Sequence, residues 1–480
     1  MKKIVLLIIL SFSFALTAQY KKTGAEKDVF IAMDKTASIL IQKSKANSVS
    51  IGVVKDGKTY IRHYGEIDKE MDNIATNKTV FEVASITKLF TGLLVAQAVT
   101  EKKISLEDDI RKYITGLYPN LQYNGTPITI KDLVSFRTGF DKDLPDNSEL
   151  RKNRNDTSYI AFKKMDEQYN RDTFFEDLKN IKLDTLPGTK FKYSNGSVNL
   201  AAHILENVYQ KSYETLLKEN IFSKLNMQST GINLNEKIVI ANGYNKKGIL
   251  MPRISDNLWK AAGGLKSSLD DLTKFIQYEL NTKNKIIQES QRNLFNSSTT
   301  WNGYFWDYIE VDENGQNCWK HGGAFGTQNM MLLYPERNLG FSIILNISDE
   351  DTANVLGEAV ITLSNELLAA NSPQTGIYGY KLINDDVVFT YIHDKALNSD
   401  LVKSVSIAGS FDNWNPKDEK FQMVRKNKNT FELKIPRKQF EKNKTYLFKF
   451  VINKSGWIEA PVNAINAEKG GDKNLIMILQ

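Results

Sequence analysis

Phe81-Glu82-Val83-Ala84-Ser85-Ile86-Thr87-Lys88 is followed by Leu89, Phe90, Leu93, Leu94, Ala96 and Val99 at helical spacing. This places Ser85 at the start of a helix and Lys88 one turn on, on the same face. A serine hydroxyl is a poor nucleophile until a base removes its proton. A lysine is such a base when burial or nearby positive charge lowers its pKa. The N–H groups of a helix start also favour developing negative charge. Alone the pair carries little, because a serine at a helix start commonly serves only as an N-cap.

Outward from this helix, Ser48 to Val54 reads as a strand, Asp56-Gly57-Lys58 as a hairpin turn and Thr59 to Gly65 as the returning strand. Ala25 to Lys45, Leu200 to Tyr209, Leu269 to Leu280 and Thr352 to Leu368 have helical spacing. Met330 to Tyr334 and Gly340 to Asn346 are apolar strands separated by Pro335 to Asn338. Strands at both ends with helices between predict an α+β domain. Its antiparallel sheet is assembled from both chain ends, flanked by helices and interrupted by an inserted helical region. Asn371 to Gly376 is turn-rich and reads as a linker. Beyond it, Val387–Ile392, Ser404–Ala408, Thr430–Ile435, Tyr446–Ile452 and Leu475–Leu479 predict a small all-β sandwich over 377–480.

Two further motifs change the weight of Ser85. Leu186-Pro187-Gly188 leads into Tyr193-Ser194-Asn195, a Tyr-x-Asn pattern, and Trp319-Lys320-His321-Gly322-Gly323-Ala324 contains His-x-Gly. With Ala261-Ala262-Gly263-Gly264-Leu265 and Asp270-Asp271-Leu272, these resemble the serine β-lactamase and penicillin-binding-protein-like family. The likeness is to its class C branch of esterases and D-alanyl peptidases, over about Ser48 to Leu368. The resemblance implies that Ser85 is the acylated nucleophile, that Lys88 and Tyr193 share the proton work, and that Asn195 holds the lysine or a substrate amide. It also implies that the backbone N–H groups of Ser85 and Ala324 form the oxyanion hole, with His321, Gly322 and Gly323 lining the substrate site.

Two departures stand out. The family's Lys-Thr-Gly is His321-Gly322-Gly323 here, with no hydroxyl at Gly322 and a histidine largely neutral at pH 7. Both weaken a grip on a substrate carboxylate. They favour ester, D-amino-acid peptide or cell-wall amide hydrolysis over true class C-like β-lactamase activity. Converting His321-Gly322 to Lys-Thr is expected to restore part of any β-lactam hydrolysis. The family's Ser-His-x-Ser-Gly-like segment is Val134-Ser135-Phe136-Arg137-Thr138-Gly139 here, which removes the usual support around the site.

Composition excludes other classes. The 480 residues are 41% hydrophobic and 25% charged, ordinary globular values. The single cysteine, Cys318, and four scattered histidines give no metal-ligand pattern, so neither metal nor cofactor is expected. The net charge of +7 is dispersed, with no basic run, so no nucleic-acid partner is expected. Met1-Lys2-Lys3, the apolar run from Ile4 and Thr17-Ala18-Gln19 read as a signal peptide over 1–18. The hydrolase domain over 19–370 is thus expected to be exported to the periplasm or exterior. With no later run of eighteen apolar residues, no stable membrane anchor is expected.

The C-terminal segment carries Gly409-Ser410-Phe411-Asp412-Asn413-Trp414, Tyr446 to Phe450, Gly456-Trp457 and Lys473-Asn474. These resemble the glycogen-binding, carbohydrate-binding family 48-like modules, which implies an immunoglobulin-like sandwich. Trp414 and Trp457 would stack on sugar rings of an α-glucan, and Lys449 and Asn474 would contact hydroxyls. The alternative is a sandwich whose indoles serve only as packing. At the level of the whole chain, the alternative to an active hydrolase is a glycan-binding surface or periplasmic protein with a vestigial hydrolase domain.

Overall fold

The computed structural model describes residues 24–152, 157–235, 238–254, 260–297, 299–312, 314–349, 351–369, 377–393, 402–427, 429–461, 464–468 and 471–479. The expected signal peptide and linker lie outside the described residues. The hairpin forms as β1 (Ser48–Lys55) and β2 (Lys58–Gly65), paired antiparallel. Asp56 and Gly57 both take positive φ, 52° and 77°. That is the mirror-image turn whose twist matches paired strands.

The sheet continues through β3 (Thr300–Trp301), β4 (Tyr308–Asp312), β5 (Gly315–Gly323), β6 (Gln328–Tyr334) and β7 (Leu339–Leu345). Its spatial order is β2-β1-β7-β6-β5-β4-β3, all antiparallel. The central pairing is β1 with β7, Ile51 opposite Ile343, so the first and last strands of the domain meet. The described residues thus show the α+β arrangement expected from the hydrophobic pattern.

Both strands are fully buried because helices cover both faces. On one face lie α1 (Gly24–Ser44) and, from the other end of the domain, Thr352–Ala369. On the other lie α2 (Thr87–Thr100), α3 (Asn195–Tyr209) and α4 (Leu269–Glu279), sharing a core with Met331, Leu333 and Ile344 of the sheet. Helix α3 begins five residues before the expected Leu200, because Ser194 caps it by accepting from the Ser197 N–H at 3.0 Å.

The C-terminal segment is all-β. One antiparallel sheet contains Tyr380–Ile383, Asp386–Ile392, Thr430–Pro436 and Val424–Arg425, in that spatial order. The other is built around Thr445–Ile452, which pairs with Val405–Gly409, Gly456–Ile458 and Leu475–Ile478. Phe389, Ile407, Phe448 and Phe450 belong to its shared apolar core. Among the described residues no helix is long and apolar enough to cross a membrane.

Candidate active site

Ser85 sits in a tight turn, Ala84–Ile86, that feeds directly into α2. Ala84 has φ of 45°, a left-handed conformation that a side chain rarely adopts. Strain of this kind gathers where the surroundings must hold one group in place. Here the residue held next in the chain is the candidate nucleophile.

Lys88 is fully buried one turn below, and its Nζ meets three oxygens. These are Ser85 Oγ at 3.0 Å, Asn195 Oδ1 at 2.8 Å and the Ala262 carbonyl at 2.6 Å. Burial, then the positive charge of Lys320, holds Lys88 well below the ordinary lysine pKa. A neutral amine has two N–H groups and one lone pair. The two carbonyl oxygens accept the two N–H groups, which leaves the lone pair facing the Ser85 hydroxyl. The Ala261–Leu265 segment has a chemical task in this arrangement, because its Ala262 carbonyl is one of the two acceptors.

The Tyr193 hydroxyl donates to Ser85 Oγ at 2.8 Å. The residue is 39% exposed, but packing around its hydroxyl, then the negative charge of Asp307, pushes its pKa above the ordinary tyrosine range. In the resting site Tyr193 is therefore a protonated donor, while Lys88 is the group with base character. Phe136 occupies the segment where the family pattern changes. Its ring packs on Tyr193 at 4.9 Å and on Phe305 at 5.3 Å, so an aromatic contact orients the tyrosine.

The third motif departs from expectation in two ways. A cation is present, one residue earlier than the family pattern places it. Strand alternation sends Lys320 to the α2 side of β5 with Cys318, a member of that core. There its Nζ lies fully buried, 5.4 Å from the Tyr193 ring centroid, bonded to Asp307 Oδ1 at 2.6 Å and the Phe305 carbonyl at 2.8 Å. Gly322 is a glycine for steric reasons, since a Cβ there would stand 2.4 Å from the Val83 carbonyl oxygen. This corrects the expected benefit of a Lys-Thr graft, whose threonine would collide with the turn that holds Ser85.

His321 lines the same cleft as Ser85, and its Nε2 is bonded to Gln328 Oε1. Burial lowers its pKa, so the ring is neutral near pH 7. Gln328 in turn donates to Ser348 Oγ at 2.7 Å, so its oxygen faces the histidine. His321 therefore carries its proton on Nε2 and leaves Nδ1 as an acceptor.

Of the two expected oxyanion donors, Ser85 lies in the turn that opens α2. The Ala324 N–H instead donates to the Thr327 carbonyl at 2.9 Å across the turn from β5 to β6. As the structure stands, that donor is spent on the hairpin. Gly323 is exposed at the cleft edge. Ser85, Tyr193, Asn195, Ala262, His321, Gly323 and Ala324 all line a single cleft of about 690 Å³.

Three contributors escaped the sequence reading: Lys320, Asp307 and Asp143. Asp307 pairs with Lys320 and also accepts from the His321 backbone N–H at 2.7 Å. Lys320 adjoins a recognised motif, so strand alternation was the one available signal for it. The other two carry no sequence signal, because they reach the site through loops. No group of three metal-ligating side chains occurs among the described residues.

In the C-terminal module, the rings of Trp414 and Trp457 lie 6.1 Å apart at 51°, with Trp457 42% exposed and Trp414 half-buried. Lys449 is half-buried on the central strand, paired opposite Ala408. Asn474 departs from its expected role. It is buried and donates its side-chain amide to Glu468 Oε2 at 2.9 Å, so it is not presented to a ligand.

Known proteins share the larger part of this architecture. The chain is 26% identical over 322 residues to Protein flp of Staphylococcus aureus (strain MRSA252), covering 65% of this chain and 61% of that protein. It thus spans about three fifths of the length of this curated relative. It is 25% identical over 282 residues to a β-lactamase of Pseudomonas fluorescens, covering 58% of this chain and 71% of that protein. The crystal structure of a β-lactamase/D-alanine carboxypeptidase from Yersinia pestis complexed with citrate superimposes with a TM-score of 0.60 at 20% identity. That match covers 71% of this chain and 98% of the other. Residues 33–364 match the protein family described as Beta-lactamase, and with Ser85, Lys88 and Tyr193 joined in one hydrogen-bonded cluster within that span, the chain belongs to the β-lactamase family.

Proposed function

We propose that the protein is an exported serine hydrolase that acts through an acyl-enzyme on Ser85. The observation that carries this reading is the bond set of Lys88, whose buried Nζ meets Asn195 Oδ1, the Ala262 carbonyl and Ser85 Oγ. In acylation, the Ser85 oxygen attacks a carbonyl carbon while its proton passes to Lys88. The adjacent Tyr193 hydroxyl is placed to protonate the leaving group, and the proton that Lys88 took from Ser85 restores it once the leaving group has departed. Water then attacks the ester by the reverse proton path and frees the acid.

The substrate class we favour is an ester or a D-amino-acid amide of the cell-wall type. The neutral His321 offers an acceptor atom where a carboxylate would need a cation, which argues against β-lactams as preferred substrates. The β-lactamase and carboxypeptidase activities in the relatives' names keep the D-alanyl amide within this range. The test is a fluorophosphonate or penicillin adduct mapped by mass spectrometry. A single adduct on Ser85 is expected, with ester turnover reduced by orders of magnitude in Ser85→Ala. A folded wild-type protein with no adduct would overturn the reading and favour a vestigial hydrolase domain.

For the C-terminal module we propose α-glucan binding through Trp414 and Trp457. The paired indoles, Trp457 exposed and Trp414 half-buried, support it; Asn474 takes no part.

A further inference from the structure

Asp143 reaches the site through a loop. Its Oδ1 accepts from the Ser194 hydroxyl at 2.8 Å, the Gly196 N–H at 2.9 Å and the Leu144 N–H at 3.0 Å, and its Oδ2 accepts from Asn195 Nδ2 at 3.3 Å. One carboxylate thus holds three consecutive residues at the start of α3. The approach is close because Gly196 has no side chain, since a Cβ there would lie 2.6 Å from Leu144 Cβ. Ser194, fixed by Asp143, in turn caps Ser197.

We infer that Asp143 is a positioning residue that locks the Asn195 side-chain amide in the one orientation that leaves Lys88 free to act as base. A carboxylate has only acceptor atoms, so the Asn195 NH₂ must face Asp143 and its oxygen must face Lys88. The reversed amide would point NH₂ at Lys88. It would remove one of the two acceptors for the lysine N–H groups and donate into the lone pair that Ser85 needs. Asp143 therefore touches neither nucleophile nor base, yet decides whether the base is armed. The inference rests on the proposed role of Ser85 and Lys88.

The test is a double-mutant cycle read with a saturable p-nitrophenyl ester, with fluorophosphonate labelling of the wild type as control. Asp143→Asn, which can present either its NH₂ or its oxygen to Asn195, is expected to lose about tenfold or more in kcat with KM within about twofold. In an Asn195→Ala background the same change is expected to cost less than about twofold, because the amide through which it acts is gone. A purely structural role would cost the same in both backgrounds, and that result overturns the inference. Should Asp143→Asn fail to fold, Asp143→Ser takes its place. Its hydroxyl, one bond short of the carboxylate oxygens, leaves the Asn195 amide without its acceptor, and it must show the same loss. Wild-type kcat in a folded Asp143 variant also overturns the inference. An unlabelled wild type removes its foundation, which separates the two failures.

Discussion

Lys320 shows what a single residue does to Lys88 through its charge. Its ammonium is the largest charge lowering the pKa of Lys88, and its own charge is held by Asp307. Removing it as Lys320→Met withdraws a repelling charge from Lys88 and leaves Asp307 uncompensated. Both changes favour protonated Lys88. The base is active when neutral, so activity rises as pH passes through the Lys88 pKa, and that acid limb is expected to move to higher pH in the variant. A pH–kcat profile checks it, and an unmoved limb would show that Lys320 is only a packing group. At this scale the sequence was legible where residues sit in motifs. Ser85, Lys88, Tyr193 and Asn195 are brought together from the positions their motifs mark. Lys320 and Asp143 were not legible, because charge and amide orientation depend on the fold rather than on spacing.

At the scale of elements, the long helices read from the sequence end close to where their patterns end, α3 apart at its start, because long amphipathic segments repeat their signal; Ser158–Gln168 and Arg171–Asn180 in the inserted region went unread. Short strands such as Thr300–Trp301 and Tyr308–Asp312 went unread. They are too brief for alternation to show and owe their existence to the neighbouring strand β5. Helix α4 ends on a residue that its pattern does not explain. Glu279 is buried, with Gln291 donating to it at 3.2 Å, and burial pushes its pKa up to about 8. In the unfolded chain it ionises near 4.5, so between these values unfolding releases a proton. The contribution of Glu279 to stability is then greatest below about 4.5 and declines as pH rises through about 8. Glu279→Gln is expected to flatten this decline and to melt several degrees above the wild type at pH 8. Thermal melts at pH 5 and pH 8 read the difference. Equal slopes in the two proteins would mean that water reaches the carboxylate.

At the scale of the whole molecule, the two parts have separate cores, which predicts separable functions. Trp414→Ala with Trp457→Ala is expected to weaken α-glucan binding by on the order of tenfold, with hydrolysis of a small soluble ester unchanged. Affinity electrophoresis of the full chain in glycogen gels, beside an ester assay, checks both halves. Equal retardation of wild type and variant would assign the indoles to packing. Within the hydrolase domain, the pairing of β1 with β7 has a consequence in time. A ribosome delivers β1 almost three hundred residues before the strand it lies against, and delivers Ser85 and Lys88 long before Lys320 and Asp307. Until the last strands arrive, Lys88 has neither its burying sheet nor its repelling neighbour and behaves as an ordinary charged lysine. The nascent chain therefore carries its serine unarmed, and reactivity switches on only when the domain is complete.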